Sequence, residues 1–456
     1  MPIRVQDQST EVAAMAQSWP IAEALLGGTA AMRRAGHEFL PRWPNEEQGS
    51  YDARICTATL FPAFGRTVGV MAGKPFSKQL TLSDDVPPEI VEHAENIDLE
   101  GRNLHTFASD VMTEALAYGL CGVLVDYPET RGMVRTVADQ NAIGARPYFV
   151  FIKHGQILGW QTERINGVLK LVQLRIAEIG IEQDGPYGAR EIRRVRVLMP
   201  GAWELWQEGE KREDEYQLIS GGTSLSEIPF VPFYGDRRAF MHGTSPLIDL
   251  AYQNVKHWQS SSDQDTILHV ARVPILVMIG ADDQTGLTVG ASTAVKLPIG
   301  ADLKFVEHTG AAIGAGEKAI QALEAQMIQT GAELLVSKPG QRTATEASND
   351  ADANKSELQR ITESFEDGLD QCLQYHAMWM GLPDGGHVEL FKDFSSGSLT
   401  DASGQLILSM QQGGLISKDT ALMEFKRRGT LSAEVESSEE QDKIAEQGPE
   451  LGMVGA

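Results

Sequence analysis

The sequence has few of the residues that build metal sites and disulfide frameworks. Only three cysteines occur in 456 residues, at Cys56, Cys121 and Cys372, and no two of them have a CxxC spacing. The ten histidines are scattered, without an HExxH or HxH pair. We therefore expect no disulfide framework, no metal site and no cofactor, and we expect a reducing compartment such as the cytoplasm.

Signatures of nucleotide binding and hydrolysis are also missing. The glycine-rich segment TGAAIGAGEK at 309–318 lacks the Gly-Lys-Ser/Thr ending of a phosphate-binding loop. No GxGxxG follows a predicted strand, and no GxSxG occurs. His376 lies on the apolar face of a predicted helix, where a buried imidazole is favoured over a ligand or base. The sequence predicts a protein that is not an enzyme.

Long hydrophobic runs and an excess of positive charge are absent. No apolar run reaches the ~20 residues of a membrane-spanning helix, and no signal segment is recognisable. The chain has 63 acidic and 39 basic residues, for a net charge of −24. This charge argues against a surface that coats DNA or membranes. An acidic channel for a polyanion is compatible with it, although solubility is the simpler explanation.

Hydrophobic periodicity predicts an α+β protein with more than one structural region. Residues 101–120 predict an amphipathic helix that ends at Gly119, and a buried strand follows. Residues 146–232 switch to a period of two, with the turn dipeptide Asn166-Gly167 between two segments, which predicts an antiparallel meander. Asp126, at the end of the buried strand, is expected to cap a turn rather than act as a catalytic carboxylate.

Other segments give simpler predictions. The first fifty residues, interrupted by prolines, predict a peripheral arm. Residues 51–73 predict a helix that Pro62 kinks or splits. Residues 274–280 and 294–308 predict strands. The segment IRRVR at 192–196 places Arg194 and Arg196 on one strand face, where solvation is the simple interpretation and nucleic-acid contact the alternative.

The longest predicted helix runs from Leu247 to about Ala271. Ser245 suits its N-cap and Pro246 its first turn. One stripe at helical spacing is only half apolar, which suits packing against another copy in a ring; an ordinary amphipathic helix is the alternative. The stripe consists of Leu247, Ala251, Asn254, Trp258, Ser261, Asp265 and Leu268.

The order of several segments resembles that of tailed-bacteriophage portal proteins, in particular a podophage-type subfamily known as a domain of unknown function. No single segment is specific, but their order and spacing together span most of residues 51–430. The matching segments are YDARICTATLFPAFGRTVGVMAGKPF, GRNLHTFASDVMTEALAYGLCGVLVDYP, RPYFVFIKHGQILGWQ, SLSEIPFVPFYGD, SPLIDLAYQNVKHWQSSSDQ, RTATEAS and GGLISKDTALMEFKRRG.

The resemblance implies a portal-like wing, stem, clip and crown architecture that forms a ring. The implied regions, in chain order, are an N-terminal arm at 1–50, a wing at 51–244, a stem helix at 245–271, a clip or stem-associated segment at 272–308, a tunnel loop at 309–317, a long broken wing helix at 318–380, a crown-proximal helical region at 381–432 and an acidic mobile tail at 433–456. As an alternative assignment, the clip lies within the 146–232 meander, and the other region names change accordingly.

The resemblance also implies a function. The chain would form a dodecameric ring at the unique capsid vertex of the virion, assembled in the host cytoplasm. This ring would be the channel for DNA packaging and genome ejection. Its partners would be eleven further copies, the terminase large subunit, the head-tail adaptor, capsid or scaffolding protein, and double-stranded DNA, without a membrane.

The resemblance yields two sets of candidate site residues. The DNA-channel candidates are Lys304, Thr309 and Lys318, although a solvated surface or an intersubunit salt bridge is the simpler role for both lysines. The subunit-interface candidates are Asn254, Trp258, Ser261, Asp265, Arg342, Thr345 and Glu346. Another virion ring or adaptor protein, an unrecognised hydrolase and a monomeric scaffold are the alternative functions.

Overall fold

The computed structural model describes most of the chain. The described residues are 3–128, 144–209, 215–272, 275–279, 302–306, 311–332, 356–392, 394, 409, 411 and 417–427. Helices and antiparallel sheets occupy largely separate stretches of these residues, so the predicted α+β class is confirmed. No helix in the described ranges combines the length and apolar content needed to cross a bilayer.

Eleven α-helices are labelled here within the described residues. They are α1 (Thr10–Ala16), α2 (Trp19–Leu26), α3 (Gly28–Ala35), α4 (Gln48–Thr57), α5 (Ala63–Gly73), α6 (Pro88–Ala94), α7 (Leu104–Tyr118), α8 (Ile248–Ala271), α9 (Ala311–Ala332), α10 (Glu357–Met380) and α11 (Lys418–Arg427).

The described strands form five antiparallel sheets. They are β1 (Thr81–Leu82), β2 (Leu120–Asp126), β3 (Tyr148–Ile152), β4 (Ile157–Ile165), β5 (Val168–Asp184), β6 (Gly188–Met199), β7 (Ala202–Glu208), β8 (Tyr216–Thr223), β9 (Phe230–Tyr234), β10 (Asp236–Ala239), β11 (His242–Thr244), β12 (Ile275–Ile279), β13 (Asp302–Val306) and β14 (Val388–Glu389). The sheet orders are β3-β2-β9, β4-β5-β6-β7-β8, β1-β14, β10-β11 and β12-β13.

The predicted meander is the five-stranded sheet, whose strands follow their order in the chain. Asn166 and Gly167 have φ angles of 53° and 83°, and they connect β4 to β5. A two-residue hairpin turn with positive φ at both positions matches the twist of the strands it joins. The predicted hairpin is therefore confirmed.

The helix predicted before the buried strand is α7. Asn103 caps its first turn, accepting a hydrogen bond from Thr106 N–H at 2.9 Å. Gly119 ends it in the left-handed conformation at φ 91°. The strand β2 that follows is buried on both faces because its alternate side chains enter two hydrophobic clusters, with Val123 in one and Leu124 in the other.

Pro62 divides the helix predicted at 51–73, as expected. The helix α4 ends at Thr57, and Pro62 occupies the N-cap of α5. A proline inside a continuous helix would remove a backbone hydrogen bond and clash with the preceding turn. The break therefore gives two helices that pack independently against the core.

The interpretation of the first fifty residues as a peripheral arm is wrong. Met32 and Val12 are fully buried, and Leu25 is 2% exposed. The helix α2 belongs to the main core, whereas α1 packs on a second core beside the five-stranded sheet. These helices are only seven or eight residues long, and the sequence pattern misled because short helices show little periodicity.

The main hydrophobic core joins helices from the N-terminal and C-terminal halves of the chain. It contains Phe64 of α5, Phe107 of α7, Trp258 of α8 and Leu369 of α10, each nearly or completely buried. The helix α8 thus contributes directly to the core of a single chain. This placement determines which part of its surface is accessible to a partner.

The region after α8 corrects one prediction. The strands β12 and β13 confirm the predicted strand pair, but residues 311–317 form the first turns of α9 rather than a loop. A run of alanine favours helix strongly enough to tolerate the two glycines at 314 and 316. Residues 333–355 of the long broken helix implied at 318–380 lie outside the described residues, and α10 supplies its last part up to Met380.

Candidate functional site

The half-polar stripe of α8 divides into two parts. Its first half is buried within the chain, with Asn254 and Trp258 both at 0% exposure. Their side chains contact the chain's own elements, which corrects their prediction as subunit-interface residues. Ser261 is half-buried and Asp265 is exposed, so these two stay candidates for an interface.

Asn254 explains why a polar residue occurs in the first half of the stripe. Its Oδ1 accepts a hydrogen bond from Phe64 N–H at 2.9 Å, and its Nδ2 donates one to the Phe61 carbonyl at 2.8 Å. These backbone groups flank Pro62, where the chain leaves helical geometry. Asn254 therefore forms hydrogen bonds with backbone groups on both sides of the proline. Its polar side chain is explained within one chain, without a contact to a second copy.

The second half of the stripe forms one wall of a cavity of about 1080 Å³, here called the α4–α8 groove. The opposite wall comes from the segment before α4 and from α4 itself. The lining residues are Trp43, Pro44, Asn45, Glu46, Glu47, Ser50, Ala53, Arg54, Thr57, Asp265, Thr266, Leu268, His269 and Arg272.

A buried ion pair makes the α4 wall rigid. Arg54 Nε and Nη2 donate to the two carboxylate oxygens of Glu46, each at 2.8 Å. The Arg54 guanidinium carbon lies 4.3 Å from the centre of the Trp43 ring. Hydrogen bonds from Arg54 lower the pKa of Glu46, so the carboxylate stays ionised. These contacts hold residues 43–46 against α4.

The helix α9 packs on α8 in the opposite direction. Gln264 Nε2 donates to the Ile313 carbonyl at 3.0 Å near one end of the pair. His257 Nε2 lies 3.1 Å from Glu324 Oε1, two turns along α8 towards its N-terminus. Gly331 lies beside Leu250 farther along the pair. From one contact to the next, the residue numbers fall along α8 and rise along α9, so the two helices are antiparallel.

Two of the three DNA-channel candidates are among the described residues, and they lie on different elements. Lys304 is exposed on β13, where it pairs with Val277 of β12. Lys318 is exposed on α9. Thr309, and the interface candidates Arg342, Thr345 and Glu346, lie outside the described residues.

Asp126 is part of an ion-pair network. Its Oδ2 accepts a hydrogen bond from Arg196 Nη1 at 2.6 Å, and its Oδ1 accepts one from Tyr127 N–H at 2.9 Å. Arg196 Nε also lies 2.6 Å from Glu178 Oε1. Burial raises the pKa of Glu178, and Arg196 opposes that shift. Arg196 therefore connects the three-stranded sheet, which contains Asp126, to the five-stranded sheet. Asp126 thus forms an ion pair between sheets, a role that the sequence did not predict.

Two histidine clusters were not recognisable as clusters in the sequence. His154 Nδ1 lies 2.6 Å from Glu114 Oε1, and Tyr118 stacks on the imidazole with ring centres 3.6 Å apart. His93 Nδ1 lies 2.9 Å from His376 Nε2. The partners are 40 and 283 residues apart in the chain, so no local spacing reveals them.

The His376 environment fits the predicted buried imidazole. The side chain is completely buried, and burial, reinforced by His93 and Arg146, lowers its pKa to about 3. A neutral imidazole pair that is held between α6 and α10 contributes to packing. Within the described ranges, no three His, Cys, Asp or Glu side chains are grouped so that they could hold a metal ion.

Comparisons with known proteins concern parts of the fold. No curated protein sequence matches the chain significantly. Among solved structures, the chain is similar to a chain in the neck of an empty gene transfer agent particle computed with C6 symmetry. The TM-score is 0.44 at 14% sequence identity, over 80% of this chain and 89% of that chain.

A chain in the neck of the native gene transfer agent particle, computed with C12 symmetry, is similar with a TM-score of 0.40 at 14% identity, over 79% of this chain and 88% of that chain. A chain in the virion of the native particle has a TM-score of 0.38 at 12% identity, with 84% and 89% covered. A family model described as a domain of unknown function, DUF4055, matches residues 246–380, the part that contains α8, α9 and α10.

Proposed function

We propose that this chain is the repeating subunit of a portal-type ring at the head-tail vertex of a bacteriophage virion. The observation that carries the proposal is the antiparallel pair α8–α9, which presents two unlike surfaces. The groove wall of α8 carries Asp265 and Leu268, whereas the outer face of α9 carries Lys318. Unlike surfaces associate head to tail, and head-to-tail contacts close into rings when the rotation permits.

The ordered resemblance of seven segments supports a portal rather than another ring protein. Under this proposal α8 and α9 together form the stem. The helix α9 supplies the second stem element that the sequence did not reveal. The segment at 272–308, which includes the β12–β13 pair, then fits the clip.

The acidic composition supports a channel role. A net charge of −24 per chain would give a twelve-membered ring a strongly negative character overall. Double-stranded DNA carries about one negative charge per 1.7 Å of its axis, so an acidic bore would limit adhesion during packaging and ejection. Exposed lysines such as Lys304 and Lys318 would make only transient contacts with phosphates.

We also propose that the role is structural and not enzymatic. Terminase would supply the chemical energy for packaging, and the ring would dock terminase first and the head-tail adaptor afterwards. Capsid or scaffolding protein would surround the ring at the vertex. The polar clusters around Arg196, His154 and His376 support this proposal, because each connects elements of the fold through mutual contacts.

The experiment is to purify the chain and determine its mass and symmetry. Light scattering after size-exclusion chromatography should detect an assembly of about 600 kDa, which corresponds to twelve chains of 49.7 kDa. Class averages from electron microscopy should show rotational symmetry with a central hole. A chain that stays monomeric at every protein and salt concentration, alone and with its capsid and scaffolding proteins, would contradict the proposal.

A further inference from the structure

The α4–α8 groove carries charges that no other described residue neutralises. Asp265, Glu47 and Arg272 are exposed around it, and none has an ion-pair partner among the described residues. By contrast, Glu46 and Arg54 are buried and neutralise each other. The charge available to a partner is therefore carried by Glu47 on one wall and by Asp265 and Arg272 on the α8 side.

The groove also offers apolar surface to a partner. Trp43 on one wall is 39% exposed, and Leu268 of α8 on the other wall is half-buried. Protein–protein interfaces commonly combine apolar contacts with charged residues at their edges. The ion pair beneath Trp43 fixes this wall, so the groove is formed before a partner binds.

The outer face of α9 fits this groove in shape and in charge. Lys318 is nine residues before the buried Met327, and at 100° per residue the two lie on opposite sides of the helix. Ala315, Ala319 and Ala322 are exposed on the same side as Lys318. A helix face made of alanines can approach another surface closely, and Lys318 supplies the one positive charge among these four residues.

Lys318 faces away from the α8 of its own chain. Met327 is buried where α9 packs, whereas Lys318 lies on the opposite side and has no ion-pair partner among the residues that the structure describes. The Asp265 carboxylate of the same copy is on α8. No ion pair joins Asp265 and Lys318 of one copy among the described residues, so Lys318 is available for a contact with a second copy.

We infer that the α4–α8 groove receives the outer face of α9 from a neighbouring copy, with Lys318 of that copy beside Asp265. This inference rests on the proposed ring and identifies its repeating contact. Each copy offers a groove on one flank and a helix face on the other, so the contact repeats in one rotational direction. The opposite charges of Asp265 and Lys318 set the register between copies.

A charge-exchange experiment tests this contact. Asp265→Lys and Lys318→Glu each place like charges at every contact of a uniform ring. Each variant is expected to weaken association by about three- to tenfold per contact at low salt. The double variant D265K/K318E restores opposite charges at every contact and should recover the wild-type assembly.

Mixing the two single variants gives an independent test. In a ring with an even number of copies, the D265K and K318E variants can alternate. The groove of a D265K copy then offers its introduced lysine to the introduced glutamate of a K318E copy. At the next contact the unchanged Asp265 meets the unchanged Lys318, so every contact is complementary. We expect the equimolar mixture to assemble although neither variant does so efficiently alone, and native mass spectrometry should detect both variants in each particle.

Matched controls separate this contact from a general effect of charge. Lys256 is nine residues before Asp265 on α8 and therefore faces the other way, and Glu182 is exposed on β5. Lys256→Glu and Glu182→Lys change the net charge as much as the test variants do and should leave assembly unchanged. Circular dichroism should show that all variants are folded.

The outcomes distinguish the two proposals. An assembled wild type that is insensitive to both charge reversals, or a double variant that stays as weak as the single ones, would overturn the contact but leave the ring. Protection of the groove by a different segment in hydrogen exchange would overturn it too. A wild type that never assembles would overturn both proposals.

Discussion

Asn254 connects α8 to the first turn of α5 through a hydrogen bond from Phe64 N–H to its side-chain oxygen, at 2.9 Å. The same side chain donates to the Phe61 carbonyl at 2.8 Å. The pairing lies 190 residues apart in the chain and brackets the proline that separates α4 from α5. The buried Asn254 amide thus provides hydrogen bonds to the backbone at a position where the helix is interrupted.

Replacement of Asn254 by alanine should destabilise the protein by about 1–3 kcal/mol. The change leaves the buried Phe64 N–H without an acceptor, whereas the Phe61 carbonyl keeps its hydrogen bond from Ala63 N–H. Urea unfolding monitored by tryptophan fluorescence would measure the loss. Tyr252→Ala, at a 58% exposed position on the same helix, serves as the control and should change stability by less than about 0.5 kcal/mol. Equal stabilities of the two variants would contradict the assigned role.

The His93–His376 pair should make stability depend on pH below neutrality. Burial lowers the pKa of His376 to about 3 and also lowers the pKa of His93. Arg146 disfavours protonation of both, whereas Glu89 and Glu92 favour protonation of His93. The unfolded chain binds these protons near pH 6.5, so the folded state loses relative stability as the pH falls below that value.

The measurement is the free energy of unfolding at several pH values between 7 and 5. His376 should contribute a loss of up to about 1.4 kcal/mol for each pH unit below 6.5. His376→Gln removes the titrating group, and its unfolding free energy should vary less over this interval. Parallel curves for the two proteins would show that His376 does not titrate differently in the folded and unfolded states.

The Arg54–Glu46 pair should control the wall of the groove. Arg54→Ala leaves the buried Glu46 carboxylate without its partner, which should cost about 3–5 kcal/mol. Arg54→Lys keeps a charge but loses the two-point geometry, and a smaller loss is expected. Hydrogen exchange of residues 41–50 should become faster in both variants. Arg66→Ala, at an exposed position of α5, should leave that exchange unchanged.

Gly119 should tolerate no side chain. Its φ is 91°, and a Cβ atom would lie 2.4 Å from the carbonyl carbon of Thr244. Gly119→Ala is therefore expected to destabilise the protein by more than about 3 kcal/mol or to prevent its accumulation. Gly69→Ala is the control, because Gly69 is exposed within α5 and has open space around its Cβ position. This control should be neutral or more stable by up to about 1 kcal/mol in thermal unfolding.

Local patterns predicted the elements well where the chemistry is local. The Asn166-Gly167 turn, the end of α7 at Gly119 and the break at Pro62 each follow from a backbone constraint within a few residues. The prediction of a loop failed over residues 311–317, which are helical, because glycines were given more weight than the alanines around them. The N-terminal helices were predicted to be peripheral because their core partners are distant in sequence.

The candidate site shows the same division. The sequence identified the half-polar stripe of α8 and two of its residues, Ser261 and Asp265, that are accessible in the structure. It did not identify Trp43, Glu46 and Arg54, which form the other wall of the groove. In the sequence these residues are an aromatic residue near an acidic and a basic one. That combination is common on protein surfaces, so it does not point to a groove.

The sequence by itself determined the α+β class, the meander and the long helix, because side-chain periodicity and turn chemistry act over short distances. Only the tertiary structure decided which half of the α8 stripe is covered by its own chain. Burial of Asn254 and Trp258, with Asp265 left exposed, depends on the packing of α2, α5 and α9 around the helix. Such packing joins residues far apart in the chain, and a pattern within one segment contains no record of it.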